Sequence, residues 1–389
     1  MEPDGSGEHL WLRLEKRLLN TADVVSLLER AFAVGSADVG VSGLKDRRAV
    51  TRQWFSVRTP SDVAPLEEAI ARLGAEGAAV GGGRGGGQGG GRGGGRGGGQ
   101  GRDGRGGDRG DGQHGEGEGE GDGDGDDAAL VLLAAARHGR KLRRGAHVAN
   151  AFEIVLRDVD APSVAAGTAL DEAALEGRLE RLRAGGFPNY LGPQRFGRDG
   201  QNVARARAWF RAPRRRTSRL QRGLWLSAAR SELFNRVCAA RVADGSWATP
   251  LDGEPLVLDG TRSFFVPDSP ADAAARGVSG GGGGEAPDER LARGDIHPSG
   301  PWWGRGASPA RGECARREAD WLAGCADLRE GLERAGLEQE RRALRAFPGE
   351  LVHERLDASS LRLAFTLPPG VFATTLLAEL GTFTTGGSR

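Results

Sequence analysis

The order of apolar and polar side chains predicts strands toward both ends of the chain and helices in its middle. From His9 to Arg17, Leu10, Leu12 and Leu14 alternate with Trp11, Arg13 and Glu15, the period of a half-buried strand. Asn20-Thr21 then offers an N-cap, and Val24, Val25, Leu28, Ala31 and Phe32 fall on one helical face. Trp54 to Arg58 reads as a short strand. Ala151 to Asp158 alternates again, with Phe152, Ile154 and Leu156 on one face. Near the C-terminus Leu361, Leu363, Phe365 and Leu367 alternate, and Pro368-Pro369-Gly370 turns from that strand into a helix. In the middle, Trp225, Ala229, Phe234, Val237 and Cys238 predict an amphipathic helix from about 224 to 242. A longer helix is expected from about 313 to 346, carrying Trp321, Cys325, Leu328, Leu332 and Leu344. A helical block between strand-rich ends predicts an inserted domain, with the outer segments pairing in one sheet.

Two stretches carry no such pattern. Residues 81–127 are Gly-rich, with Arg84, Arg92, Arg96, Arg102, Arg105 and Arg109 in the first part and seven acidic residues from Glu116 to Asp127 in the last. A segment with so little apolar surface cannot offset its ordering entropy, so disorder is expected there, spanning roughly 35–40 Å as a flexible coil. Ser279 to Glu285 is a shorter flexible piece. The 54 Lys plus Arg nearly balance the 53 Asp plus Glu, so any basic surface must be local. Lysine occurs only at 16, 45 and 141, leaving the positive charge almost entirely to arginine, which forks onto phosphates and carboxylates. The three cysteines form no CxxC pair, and His138, His147, His297 and His353 have no ligand spacing, so neither a metal site nor a disulfide scaffold is expected. No apolar run approaches the roughly 20 residues of a membrane helix, and Met1-Glu2-Pro3-Asp4-Gly5 lacks a signal-peptide pattern. These features predict a soluble cytoplasmic protein.

Chemistry concentrates in Val41–Val57, VSGLKDRRAVTRQWFSV. Gly43 allows a tight turn. Lys45, Arg47 and Arg48 surround Asp46, and such neighbours hold a carboxylate ionised. An ionised Asp in a loop between sheet elements can act as nucleophile or base, and the cations beside it can hold an RNA backbone. A solvated turn whose Asp caps a helix or pairs with an arginine has the same composition, so the segment alone leaves both readings open. Arg137, His138, Arg140, Lys141, Arg143 and Arg144 form the densest basic run, either a nucleic-acid contact or a solvated edge. Arg214-Arg215-Arg216 is a weaker second candidate. By pattern alone Phe152 and Phe372 are core residues, and Asn150 is a turn residue at a strand start.

The segment GLKDRRAVTRQWFSV resembles the active-site segment of the TruD family of tRNA pseudouridine synthases. In the family's order, Arg137–Val159 resembles the basic segment leading into an Asn-Ala-Phe strand, and GGFPNYLGPQRFG (Gly185–Gly197) resembles the Pro-Asn-Tyr/Phe to Gln-Arg-Phe-Gly signature. Leu224–Asn235, Gly294–Gly304 and Leu367–Leu380 fit as well, and six long motifs in one order are far more specific than any short pattern. The resemblance implies isomerisation of uridine to pseudouridine in tRNA, at position 13 in bacterial members. The N-glycosidic bond breaks, the uracil rotates and its C5 rejoins the ribose, with no cofactor. It implies that Asp46 is the catalytic carboxylate, attacking C1′ or removing a ribose proton. The base must leave the RNA stack to be reached, and the resemblance assigns its contacts to Phe152, Asn150 and Phe372. Lys45, Arg47, Arg137, His138, Arg140, Lys141 and Arg143 become the expected RNA contacts, and Gln194-Arg195-Phe196-Gly197 is expected to shape the inserted domain. The expected partner is tRNA, with no metal, membrane or obligate protein partner.

The implied fold is α+β. A pseudouridine-synthase-like catalytic domain with a mixed or antiparallel sheet is expected over residues 1–185 and 347–389. An inserted α+β domain of the TRUD type is expected over 186–346, facing it across a basic cleft. Two departures from the family stand out. Family members carry a strand ahead of Gly-Glu-His-Leu, so the true start is expected upstream of Met1; without that strand a sheet edge and one pocket wall are lost. On that account the alternative function is a non-catalytic tRNA-binding protein or RNA chaperone. The Gly-rich insert is expected to be a tolerated surface insertion, a weak Arg-Gly tether to RNA being the competing role.

Overall fold

The computed structural model describes residues 4–81, 128–143, 145–159, 172–212, 217–267 and 287–383, without the side chains of 73–81 and 287. The expected disorder from residue 82 to 127, the piece at 279–285, and the candidates Arg144 and Arg214-Arg215-Arg216 lie outside the described residues. The fold is α+β with antiparallel sheets, and the chain forms two compact units, Met1–His147 and Val148–Arg389.

In the first unit, β1 (His9–Arg17), β2 (Val39–Val41), β3 (Thr51–Arg58) and β4 (Ala129–His138) form an antiparallel sheet in the order β2-β3-β1-β4. Helices α1 (Thr21–Phe32) and α2 (Ala64–Gly81) cover one face. The alternating Leu10, Leu12 and Leu14 meet Val24, Leu28 and Phe32 of α1, Phe55 and Val57 of β3, and Leu66 of α2. Asn20 caps α1 as expected, and its backbone N–H donates to Asp23 Oδ2 at 2.7 Å. Alternation alone placed Trp11 on the open face, yet it is 1% exposed. Its ring stacks on His138 at 4.4 Å and its Nε1 donates to Arg140 O at 2.9 Å, so the chain following β4 covers that face.

The second unit contains two apolar cores. One is built on β5 (Asn150–Leu156), the helix α3 (Glu172–Gly185) and the short strand β6 (Phe187–Pro188), together with elements from the C-terminal end. The other lies wholly between Leu191 and Leu344. Its helices are α4 (Asn202–Arg211) and α5 (Arg219–Ala243), the latter begun by Ser218, whose Oγ accepts from Gln221 N at 3.2 Å. There follow β7 (Leu256–Leu258), β8 (Phe264–Phe265), α6 (Pro287–Arg293), β9 (Ile296–His297) and β10 (Ser299–Trp302).

The single helix expected over 313–346 is replaced by α7 (Gly312–Trp321), a 3-10 turn at Ala323–Cys325, and α8 (Ala326–Arg334). The apolar period is helical, and Cys325, Leu328 and Leu332 are buried, but Gly336 at φ +80° ends the run in the left-handed region. Beyond it the chain forms β11 (Glu340–Ala343), paired with β10, and β12 (Arg345–Ala346), paired with β6. The strands β13 (Gly349–Arg355) and β14 (Leu361–Leu367) then join β5 in the order β13-β14-β5, before α9 (Ala373–Leu380). The C-terminal strands thus pair with β5, but not with β1–β4, which close into a sheet of their own; the single sheet expected from the outer segments is two. Among the described residues no helix is long and apolar enough to cross a membrane.

Candidate active site

Asp46 stands on the irregular segment between β2 and β3, and the β1–α1 junction holds that segment by its main chain. Lys16 continues the register of Leu10, Leu12 and Leu14, so its stem enters the core face. It is 1% exposed, and its Nζ donates 2.7 Å bonds to Leu19 O and Asp46 O. Thr21, the first residue of α1, accepts at Oγ1 from Lys45 N at 2.9 Å and from Gln53 Nε2 at 3.4 Å. Arg47 Nε donates to Leu18 O at 3.1 Å. The backbone on both sides of Asp46 is therefore fixed while Asp46 itself is exposed. Burial pushes the ammonium groups of Lys16 and Lys45 down from the usual lysine range, with the charge of Asp46 opposing in each case.

Gly43 does not adopt a left-handed conformation, contrary to the tight turn expected there; a Cβ would stand 3.5 Å from His147 Cε1, an ordinary contact. The bonds to Lys16 and Thr21 set the loop's course instead. His147, which lies in the Arg137–Val159 segment and was given no role there, neighbours the loop. Burial holds its imidazole below the usual range, as does the charge of Lys45, with a Ser42 backbone bond opposing.

Lys16→Met tests this anchorage. Met keeps the apolar stem but removes the donor from two part-buried carbonyls, a loss of about 1 kcal/mol for each hydrogen bond. A fall in melting temperature is expected, together with a loss of roughly tenfold to a hundredfold in turnover as the Asp46 loop shifts. Full turnover by a folded Lys16→Met chain would remove Lys16 from the site.

The basic run divides. Arg140 and Arg143 are exposed, and with Lys141, Leu142 and Ala146 they line a cavity of about 500 Å³. The Nζ of Lys141 donates to Ala37 O, and Leu142 N donates to Ser56 Oγ at 2.9 Å, tying the segment to the sheet. Arg137 faces elsewhere: its guanidinium donates to the carbonyls of Thr59, Pro60 and Ser61. His138 is buried under Trp11, and its Nδ1 accepts from Arg140 N at 2.9 Å. These two residues hold the turn and the sheet face, whereas Arg140 and Arg143 present charge to solvent.

In the second unit Asn150 begins β5 opposite Leu367, and Phe152 lies opposite Phe365 with ring centroids 5.3 Å apart. Phe152 is half-buried, so one part of the ring packs on the core and the rest remains open. Phe372 is the N-cap of α9, and its ring packs against the 191–344 core rather than the core that Phe152 joins. Arg195, from the turn Pro193–Phe196, lies over Phe372 with Cζ 5.5 Å from the ring centroid. Arg342 reaches the same loop through a 2.9 Å bond to Gly370 O. Sequence reasoning missed Lys16, Thr21 and Arg342 here; only Lys16 left a signal, as a lysine in the register of three leucines.

The family profile described as tRNA pseudouridine synthase D (TruD) matches residues 1–76, 128–206 and 201–380, passing over the whole Gly-rich stretch. The tRNA pseudouridine synthase D of Xanthomonas campestris pv. campestris (strain B100) is 39% identical over 393 residues, covering 98% of this chain and 86% of that protein. Its counterpart in Xanthomonas euvesicatoria pv. vesicatoria (strain 85-10) is 41% identical over 403 residues, covering 99% and 88%. That of Pseudomonas syringae pv. syringae (strain B728a) is 39% identical over 376 residues, covering 97% and 85%. A crystal structure from Methanosarcina mazei, described as TruD, shares the fold with a TM-score of 0.58 at 17% identity, covering 98% of this chain and 89% of that one. Identity of this order over nearly the full length, together with the profile match, makes the chain a member of the tRNA pseudouridine synthase D (TruD) family.

Proposed function

We propose that this tRNA pseudouridine synthase, an isomerase, uses Asp46 to open the N-glycosidic bond of a tRNA uridine at position 13. The observation that carries the assignment is the Asp46 loop: an exposed carboxylate on a backbone held by buried Lys16 and by Thr21. Such a carboxylate can add to C1′ or take a ribose proton; either route lets the bond from C1′ to N1 break. The uracil turns, C5 bonds to C1′, and the C5 proton leaves to solvent while N1 takes one up. Product and substrate are isomers, so the reaction balances without a cofactor.

In this reading Phe152 offers a ring face to the uracil, Asn150 meets its polar edge, and Phe372 is the third base contact. Lys45, Arg47, Arg140, Lys141 and Arg143 contact the RNA backbone, whereas Arg137 and His138 support them from behind. The catalytic domain comprises 1–185 and 347–389, interrupted by 186–346. The separate core between Leu191 and Leu344 and the pairing of β14 with β5 support that division.

Incubation with tRNA carrying 5-tritiated uridine tests the reaction. Tritium release is expected, and it is expected to disappear when uridine 13 is replaced by cytidine. A folded chain that binds tRNA and releases nothing would instead fit a binding protein.

A further inference from the structure

We propose that Arg195 and Arg342 form an anion site beside Phe372 that holds a backbone phosphate of the RNA. The proposal rests on the tRNA-uridine reading above and gives the Gln-Arg-Phe-Gly turn a contact with the RNA.

Neither arginine has a carboxylate partner among the described residues. Their neighbours in the same unit do: Arg207 pairs with Asp327, Arg230 with Glu340 and Arg341 with Glu318. Both side chains are half-buried, and both are fixed. Arg342 Nη2 donates to Asn189 Oδ1 at 2.7 Å and to Gly370 O at 2.9 Å, which pins the guanidinium two residues before Phe372. Arg195 Nη1 donates to Ser227 Oγ at 2.9 Å. A guanidinium carries five N–H donors in a planar fork, so each retains several without an acceptor among the described residues. The Nε of each is buried and unpartnered, so the donors left for a ligand are on the Nη nitrogens.

Aromatic rings fix the planes. Arg342 lies over Phe234 at 5.3 Å and Trp302 at 5.9 Å, and Arg195 lies over Phe372 at 5.5 Å. Stacking on a ring leaves the donor edge of a guanidinium available. Burial lowers both guanidinium groups; the charge of Arg195 lowers Arg342 further, to about 10, with Cys238 opposing. Two guanidinium groups that both flank the Phe372 loop, partly out of water and with no carboxylate among the described residues, are unfavourable in the free protein, and an anion relieves the repulsion and takes up unused Nη donors.

The ligand that fits is a phosphodiester. It carries one negative charge on two free oxygens, the geometry a pair of guanidinium forks accepts. An aromatic ring beside it matches an RNA strand with an unstacked base, which presents a ring face next to a phosphate.

The test measures tRNA affinity against salt concentration in the full Asp46→Ala chain, where chemistry is off, with and without a second substitution. Arg195→Gln is expected to weaken binding about tenfold and to reduce the slope of log affinity against log salt by about one, the signature of one lost phosphate contact. Arg195→Lys is expected to keep the slope. Arg342→Lys is read in the same way, and should it fail to fold, the Arg195 pair decides alone. An unchanged slope in Arg195→Gln overturns the proposal and leaves the arginine as packing for Phe372. Inorganic phosphate, titrated by calorimetry, separates the sources: heat lost in Arg195→Gln with an unchanged RNA slope assigns the pair to free anions and overturns the RNA site. Tritium release by the chain with Asp46 intact reports on the isomerase separately. Absence of release with a reduced slope refutes the isomerase and supports the phosphate site.

Discussion

Asp46→Asn is expected to lower turnover by about 10⁴-fold or more while tRNA affinity stays within about threefold, since a nucleophile or base acts in the transition state and not in holding the substrate. Asn matches the size of Asp and lacks its charge. The backbone carbonyl of residue 46 still accepts from Lys16, and Lys45 N still donates to Thr21, so the loop is not expected to move. The variant therefore separates charge from shape. Removing the acidic side chain from an exposed position also leaves stability nearly unchanged, within about 0.5 kcal/mol. Tritium release and a binding isotherm on the same preparations check both halves. Release at even a hundredth of the parent rate would exclude Asp46 as the group that opens the glycosidic bond.

The sequence exposed the chemical type of this site more readily than its construction. Alternation placed Leu10, Leu12 and Leu14 in the core because the strand period is local, and the register of β1 on β3 bears it out. Charge around Asp46 was equally visible, since its neighbours are adjacent in the chain. The loop's anchors were not, because residues 16, 21 and 46 meet only after β1 and α1 have folded. The basic run shows the same limit: composition counts the charge of Arg137 but not the carbonyls of Thr59, Pro60 and Ser61 that take up its guanidinium. Helical period carried the reading past Gly336 because the apolar spacing of Leu344 fits a helix as well as a strand. A single left-handed glycine, followed by the pairing of β11 with β10, decided the matter. The Gln-Arg-Phe-Gly turn was read as a shaping motif, and folding sets its arginine over a ring from the far end of the chain.

Arg341→Met is expected to give the largest loss of stability, because the arginine belongs to a buried network whose charges all have partners. Its Nη1 and Nη2 grip Glu318 at 3.1 and 2.7 Å, and its Nε donates to Ser299 Oγ at 3.0 Å. Ser299 N donates to Glu254 Oε1 at 2.8 Å, and Glu254 Oε2 accepts from Arg241 at 3.0 Å. Arg341, Glu318, Arg241 and Glu254 are each at most 5% exposed, so water cannot replace a missing partner. Removing Arg341 leaves Glu318 buried beside Cys314 with no cation, a loss of about 3–5 kcal/mol. In a unit of this size that corresponds to a fall of roughly 10 °C in melting temperature. The pair itself contributes much less than the single variant loses, since burying two charges cancels most of their attraction. Arg341→Met combined with Glu318→Leu is therefore expected to recover most of the loss, though not all, because Ser299 also loses its donor. Calorimetric melts of the two variants make the comparison. If the double variant melts no higher than Arg341→Met alone, the uncompensated charge is not what destabilises the unit, and the hydrogen bonds to Ser299 carry the network.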